Sequence, residues 1–321
     1  MRNFCFKLLS FLLLQIFAFA VLVTRHDTTQ ETNYLAATVQ KHALLEQTAT
    51  PKLVLTGGSN VPFGIQSPVL EKELGLPVVN MGLVAGMGID FMLAEIAGSL
   101  RAGDAVLLSL EYDRLGGGFD PKVIAQLLEY RPANIRYLKP KHFRKVILDH
   151  GLLIAGEIIR HSLHFAAKPK QETGTGLHAR GFNDHGDLIF HYGKERRIDA
   201  DTVNGGRIFP DDGVYPSTRV MELLTRFSTE CQRQKVRLFF SFPPQAAGPL
   251  ERSRSLVLRV KTEFARIPFF QSIDSPFEQS YRPDLFYDTG YHLTEQGAQE
   301  RTRRIGASLL QAGFSGAPQS R

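Results

Sequence analysis

Three short apolar runs alternate with helical patterns between residues 53 and 110, and this alternation limits the fold more than any other feature. Leu53, Val54 and Leu55 form the first run, which Thr56-Gly57-Gly58-Ser59 breaks. Ser67-Pro68 has the character of a helix start, a capping serine followed by proline, and Leu70 and Leu74 lie four apart before Gly75 ends the helix. A second run, Pro77 to Met81, passes into Gly82, and a helix is expected from Ile89 to Leu100. Gly103-Asp104 turns the chain into a third run, Ala105 to Leu110. Strand and helix in strict alternation with short connections predict an α/β fold: a parallel sheet covered by helices on both faces.

Parallel strands bring their C-terminal ends to one edge, where open α/β sheets bind ligands. Three such ends carry glycine or polar groups: Gly58-Ser59, Asn80 to Gly82, and Glu111 to Asp113. A serine there can act as a nucleophile if a base reaches it. Gly82, Gly86 and Gly88 also invite a dinucleotide reading, with Glu111 as the acidic partner. That fingerprint lacks its third glycine, where Phe91 stands, and it follows the second strand instead of the first.

The C-terminal part resumes the alternation. A helix from Pro216 to Gln234 precedes a strand, Val236 to Phe242, then a helix from Leu250 to Ala265 and a short strand, Phe269 to Ile273. Thr294 is placed to cap a last helix reaching Leu310, with Glu295 in its first turn. Just before it, Asp288 and His292 share a loop, and a histidine oriented by a carboxylate is the base that activates a serine. Between these halves, 115–215 is irregular, with helices expected over Pro121 to Tyr130 and Lys141 to Ala166. His178, His185 and His191 lack the spacing of a helical metal motif, so the stretch 168–212 reads as a solvated loop or cap.

Positive residues Arg2 and Lys7 precede an apolar stretch from Leu8 to Val23. This pattern predicts a signal anchor with a cytoplasmic N-terminus and an exported domain. Ala18-Phe19-Ala20 would alternatively allow cleavage, giving a secreted protein. With two cysteines, Cys5 and Cys231, and Cys5 in the apolar N-terminus, no disulfide framework arises within the folded part. The net charge of +6 is scattered and not interleaved with aromatics, which argues against a nucleic-acid partner.

With Ser59, the Asn80 to Gly82 turn and the Asp288/His292 pair, the chain resembles the SGNH/GDSL hydrolases. It looks most like their membrane-anchored envelope branch, associated with polysaccharide O-acetylation. The resemblance covers residues 50–113 and 235–310. It implies a flavodoxin-like three-layer sandwich with a central parallel sheet, no cofactor and no metal. It maps the nucleophile to Ser59, the oxyanion amides to Ser59 and Gly82, the base to His292 and the acid to Asp288, with Asp284 as an alternative. It further implies an esterase or O-acyltransferase acting on an acylated carbohydrate or small ester, with a membrane-bound O-acyltransferase as a partner. The alternative is a catalytically degenerate glycan-binding or scaffold component. Three features depart from the family pattern: Gly58 stands where aspartate is usual, the third block's asparagine donor has no match at a strand end that reads Glu111-Tyr112-Asp113, and the acid-to-base spacing is one residue longer. The expected organisation is an anchor or signal peptide (1–25), a stalk (26–50), the α/β domain (51–312, with 115–215 as insertion or cap) and a tail (313–321).

Overall fold

The computed structural model describes residues 33–140, 142–146, 148, 151, 177–210 and 213–316, with scattered positions between 6 and 18. The expected anchor and the Lys141 to Ala166 helix fall largely outside the described residues. Among those described, no helix is long and apolar enough to cross a membrane.

Among the described residues seven strands form: β1 Leu53–Gly57, β2 Val78–Asn80, β3 Ala105–Ser109, β4 Arg237–Phe240, β5 Gln245–Ala246, β6 Phe270–Ser272 and β7 Ser280–Tyr281. Five make one parallel sheet in the order β2-β1-β3-β4-β6, while β5 and β7 pair separately. Every residue of β1, β2 and β3 is buried, as expected of parallel strands covered on both faces. The chain leaves β1 towards β2 and returns to the other side of β1 as β3. The reversal therefore lies between β1 and β3, the place where such sheets open a crevice.

Side chains alternate along a strand, so each face of β1 meets its own helices. Leu53 and Leu55 join Leu70 and Leu74 of the Ser67–Leu74 helix, Ile305 and Leu309 of the Glu295–Gln311 helix, and Phe239 in one core. Each fully buried leucine contributes about 1.5–3 kcal/mol relative to an exposed one. The Ile89–Ala97 and Thr218–Arg233 helices also pack together and on the sheet, giving an architecture consistent with three layers.

The expected helix boundaries hold to within a few residues, with two differences. Gln66 occupies the boundary position expected of Ser67, which is itself the first helical residue. The expected Leu250 to Ala265 helix is two helices, Ala247–Arg252 and Arg254–Phe264, because Ser253 departs from helical geometry at φ −105° and ψ 16°.

The chain divides into two compact units, Met1–Val39 with Pro121–Ala179, and Gln40–Asp120 with Arg180–Arg321. In the first, Asn134 donates to Thr38 Oγ1 and Leu127 O, both at 3.2 Å, and buried Ile124 and Leu127 line the Pro121–Tyr130 helix. The second holds both sheets. Residues 40–47, expected at the end of a stalk, are helical and belong to this unit. There His42 Nε2 lies 3.5 Å from Glu95, and the Lys41 ammonium donates to Asn80 O and Gly186 O.

Residues 182–187 also belong to the α/β unit. Asp187 is fully buried and accepts from Ser67 N and Oγ, Asn80 Nδ2 and Asn183 Nδ2 at 2.5–3.1 Å. His185 O accepts from Asn80 N, and Leu188 N donates to Pro62 O. Through the buried Asp187 the segment braces the ends of β1 and β2, where the sequence suggested a solvated loop or cap. Truncating Asp187 leaves four buried donors without their charged acceptor. Asp187→Ala is expected to lower stability by about 3–5 kcal/mol, read as a reduced urea midpoint at unchanged m-value.

Candidate functional site

The β1–β3 register sets the site. Leu53 pairs with Ala105 and Gly57 with Ser109, so extending the register by two residues brings Ser59 opposite Glu111. The Ser59 hydroxyl donates to Glu111 Oε1 at 3.1 Å, and the Asn60 N–H donates to the same oxygen at 3.1 Å. The glycines before Ser59 make the approach possible. A Cβ on Gly57 would sit 2.0 Å from Ser109 O, and one on Gly58 would sit 2.5 Å from Glu111 Oε1. Backbone and carboxylate occupy the space that side chains would need.

After Ser59 the chain makes a tight turn, with Phe63 N donating to Ser59 O at 3.2 Å. The Phe63 ring then lies flat on the His292 ring, centroids 3.7 Å apart and planes within 3°. His292 arrives on a loop closed by an antiparallel bridge between Phe286 and Leu293, with Tyr287 N donating to His292 O at 2.8 Å. Within it, Thr289 Oγ1 accepts from both Tyr291 N and His292 N at 3.2 Å. This threonine turn absorbs the extra residue between acid and base, and His292 Nδ1 meets Asp288 Oδ1 at 2.6 Å. Asp284 instead pairs with Arg282 at 3.0 Å. The structure thus brings His292 and Asp288 together and sets His292 against the turn that carries Ser59. Among the described residues, the Ser59 hydroxyl is bonded to Glu111 and not to His292.

The two expected oxyanion amides differ. Among the described residues, the Ser59 N–H has no protein acceptor, whereas the Gly82 N–H donates to Asn80 Oδ1 at 3.0 Å. Asn80 is held in turn by Asp187.

Beneath Ser59 lies Arg301, fully buried on the inner face of the Glu295–Gln311 helix. It donates to Asn60 O at 2.7 Å, Ser109 Oγ at 2.8 Å and Phe242 O at 3.5 Å. Tyr291, next to His292, accepts from Tyr112 N through its hydroxyl at 3.2 Å. The loop bearing His292 is thereby tied to the end of β3.

Electrostatics separate the titratable groups. Burial, then the neighbouring Asp113, push the Glu111 carboxyl above the usual carboxylate range; His292 and the hydrogen bonds from Asn60 and Ser59 act the other way. Burial lowers His191 to about 4, with Lys194 and His292 adding to the shift and the Leu293 carbonyl and Asp288 opposing it. His191 Nε2 faces Leu293 O at 3.0 Å, and its ring packs on Phe63 at 4.9 Å, beside His292. It also borders an open groove of about 460 Å3, lined by Gln66, Lys194, Asp284, Glu295 and Gln299 among others.

Among the described residues, no group of three or more His, Cys, Asp or Glu is placed to hold a metal ion. His185 pairs with Glu71 and His191 faces a carbonyl, so the two histidines serve separate contacts.

Sequence reasoning marked Ser59, Gly82, Asp288 and His292 but not Phe63, Asp187 or Arg301. Arg301 left a readable signal, because Ala298, Thr302, Ile305 and Leu309 share its helix face and an arginine on that stripe must be buried. Phe63 left a weaker one, an aromatic within a turn of small and polar residues. No family model matches the chain, and no curated protein matches it.

His191 yields a test of the layer supporting His292. Its folded-state value of about 4 lies below the ordinary 6.5, so the folded chain binds fewer protons than the unfolded chain between those values. Stability from this group is present above pH 6.5 and falls as pH drops towards 4, by up to about 3 kcal/mol. Asp274, raised to about 6 by desolvation, gives an opposite slope over part of that range. The difference between wild type and His191→Gln isolates the histidine: the variant is expected to lose less stability on acidification, measured by urea titrations at pH 7 and pH 4.5.

Proposed function

We propose that the chain is an exported serine-dependent esterase or O-acyltransferase of SGNH/GDSL type, acting on acyl esters of a cell-envelope glycan or a related substrate. The observation that carries this reading is the Asp288–His292 pair, bonded at 2.6 Å and stacked on Phe63, four residues beyond Ser59 in the same turn. The strand order β2-β1-β3-β4-β6, all parallel, is the flavodoxin-like order and agrees with it. Membrane attachment through residues 1–25 is part of the proposal; Phe6, Phe11, Leu13, Leu14 and Phe17 present exposed apolar side chains suited to it. The polar groove beside His191 suits a hydroxylated chain.

In the proposed reaction Ser59 Oγ attacks the acyl carbon and its proton passes to His292 Nε2. Asp288 holds the ring through Nδ1 and stabilises the imidazolium. The Ser59 amide receives the charge that develops on the acyl oxygen, and the Gly82 amide joins it on release from Asn80; such donors are worth about 3 kcal/mol each. The imidazolium then protonates the departing alcohol, and water or a sugar hydroxyl takes the acyl group from Ser59.

Two observations favour a second reading, a non-catalytic glycan-binding or scaffold component: the engagement of the Gly82 amide by Asn80, and of the Ser59 hydroxyl by Glu111. Labelling by a fluorophosphonate separates the two. The enzyme reading expects one label on Ser59, none on Ser59→Ala, and a rate reduced by about 10³-fold or more in His292→Ala. A folded wild-type protein that takes no label would favour the scaffold.

A further inference from the structure

One carboxyl group touches the Ser59 hydroxyl, and it belongs to neither Asp288 nor Asp284. Glu111 Oε1 accepts from Ser59 and Asn60, while Oε2 carries no hydrogen bond to the protein among the described residues. Glu111 stands just beyond the end of β3, opposite Ser59 in the extended β1–β3 register and beside the hydroxyl that would carry the acyl group. The Gly82 amide is committed to Asn80, so of the two expected oxyanion amides only that of Ser59 lacks a protein acceptor among the described residues.

We propose, resting on the serine-hydrolase reading above, that Glu111 acts as a neutral carboxylic acid and supplies the side-chain oxyanion donor through Oε2–H. As Oγ bonds to the acyl carbon, the carbonyl π pair moves onto the acyl oxygen and the Oγ proton moves to His292. The Glu111 proton stays on Oε2 and is shared with the oxyanion by a hydrogen bond. When the carbonyl reforms, the alkoxide leaves with the proton from His292, and Glu111 ends the cycle as it began. An ionised Glu111 cannot do this, because its charge would repel the oxyanion at hydrogen-bond distance in a desolvated site. A carboxylic acid kept neutral by its surroundings is an established form of oxyanion donor.

The groups facing Glu111 from each neighbouring element agree on balance. Asp113, on the same turn, disfavours ionisation, and burial does so more strongly. Tyr291 and Tyr112 bring no positive charge. His292 and Arg301 favour the carboxylate, but the Arg301 guanidinium is spent on Asn60 O, Ser109 Oγ and Phe242 O. The catalytic form carries a neutral His292 before attack, which removes one of these two cations.

The test is the rate of fluorophosphonate labelling against pH for the full-length protein in detergent, as wild type, Glu111→Gln and Glu111→Ala. Glutamine offers a donor that does not ionise. Glu111→Gln is expected within about tenfold of wild type at pH 6 and to keep its rate as the pH is raised through the range where wild type declines; Glu111→Ala is expected to lose about 10²–10³-fold throughout. If wild type labels while Glu111→Gln and Glu111→Ala fail equally, Glu111 is not a donor, and the serine-hydrolase reading survives without it. Failure of wild type to label overturns both. Should Glu111→Gln not fold, infrared spectra of the wild type decide. A glutamic-acid C=O band, identified by 13C-glutamate, that shifts on phosphonylation supports the donor; carboxylate bands alone overturn it.

Discussion

A single buried guanidinium holds the Ser59 end of the sheet together. Moving a cation out of water costs several kcal/mol, and Arg301 recovers this through a carbonyl after β1, a hydroxyl at the end of β3 and a carbonyl after β4. Burial still lowers its basicity, as expected of a charge held mainly by dipoles. The consequence is positional. Arg301 lies two turns into a helix whose cap, Thr294, follows His292 by two residues, so fixing the arginine fixes where the imidazole enters the crevice.

Around that anchor, each candidate site residue is held by contacts from a distant part of the chain. Ser59 faces Glu111 because β1 and β3 pair in a particular register. His292 is positioned from three sides: Asp288 at its Nδ1, Phe63 across its face, and the Thr289 hydroxyl at its backbone. The brace at 182–188 supports Asn80 and the carbonyl of Pro62, so the segment with the least regular sequence steadies the two turns nearest Ser59.

The sheet and its helices were legible because apolar runs and turn residues are local signals. Leu53 to Leu55, Gly75 and Thr294 each declare their role within a few residues. The Asp288/His292 pair was legible for the same reason, since both lie on one short loop. Glu111 was visible as a strand-end residue, but its contact with Ser59 spans 52 positions and depends on strand register, which no local pattern encodes. Asp187 was hidden more deeply. A stretch rich in Asn, Asp, Gly and His has the composition of a solvated loop whether or not it is buried, and its four donors come from three separate segments. The buried packing of residues 40–47 was hidden likewise, because Lys41 looks like a surface residue until two carbonyls receive its ammonium.

The meeting of Gly58 with Glu111 has an evolutionary corollary. The space a side chain at 58 would fill is held by the carboxylate from β3, whose oxygen would stand 2.5 Å from a new Cβ. An aspartate at 58 would require that carboxyl group to move, and the Ala85 methyl, 2.9 Å from the same Cβ, to give way as well. A lineage that places a side chain at 58 must therefore also resettle position 111 beside Ser59. Substitutions at the two sites are coupled through the space they share.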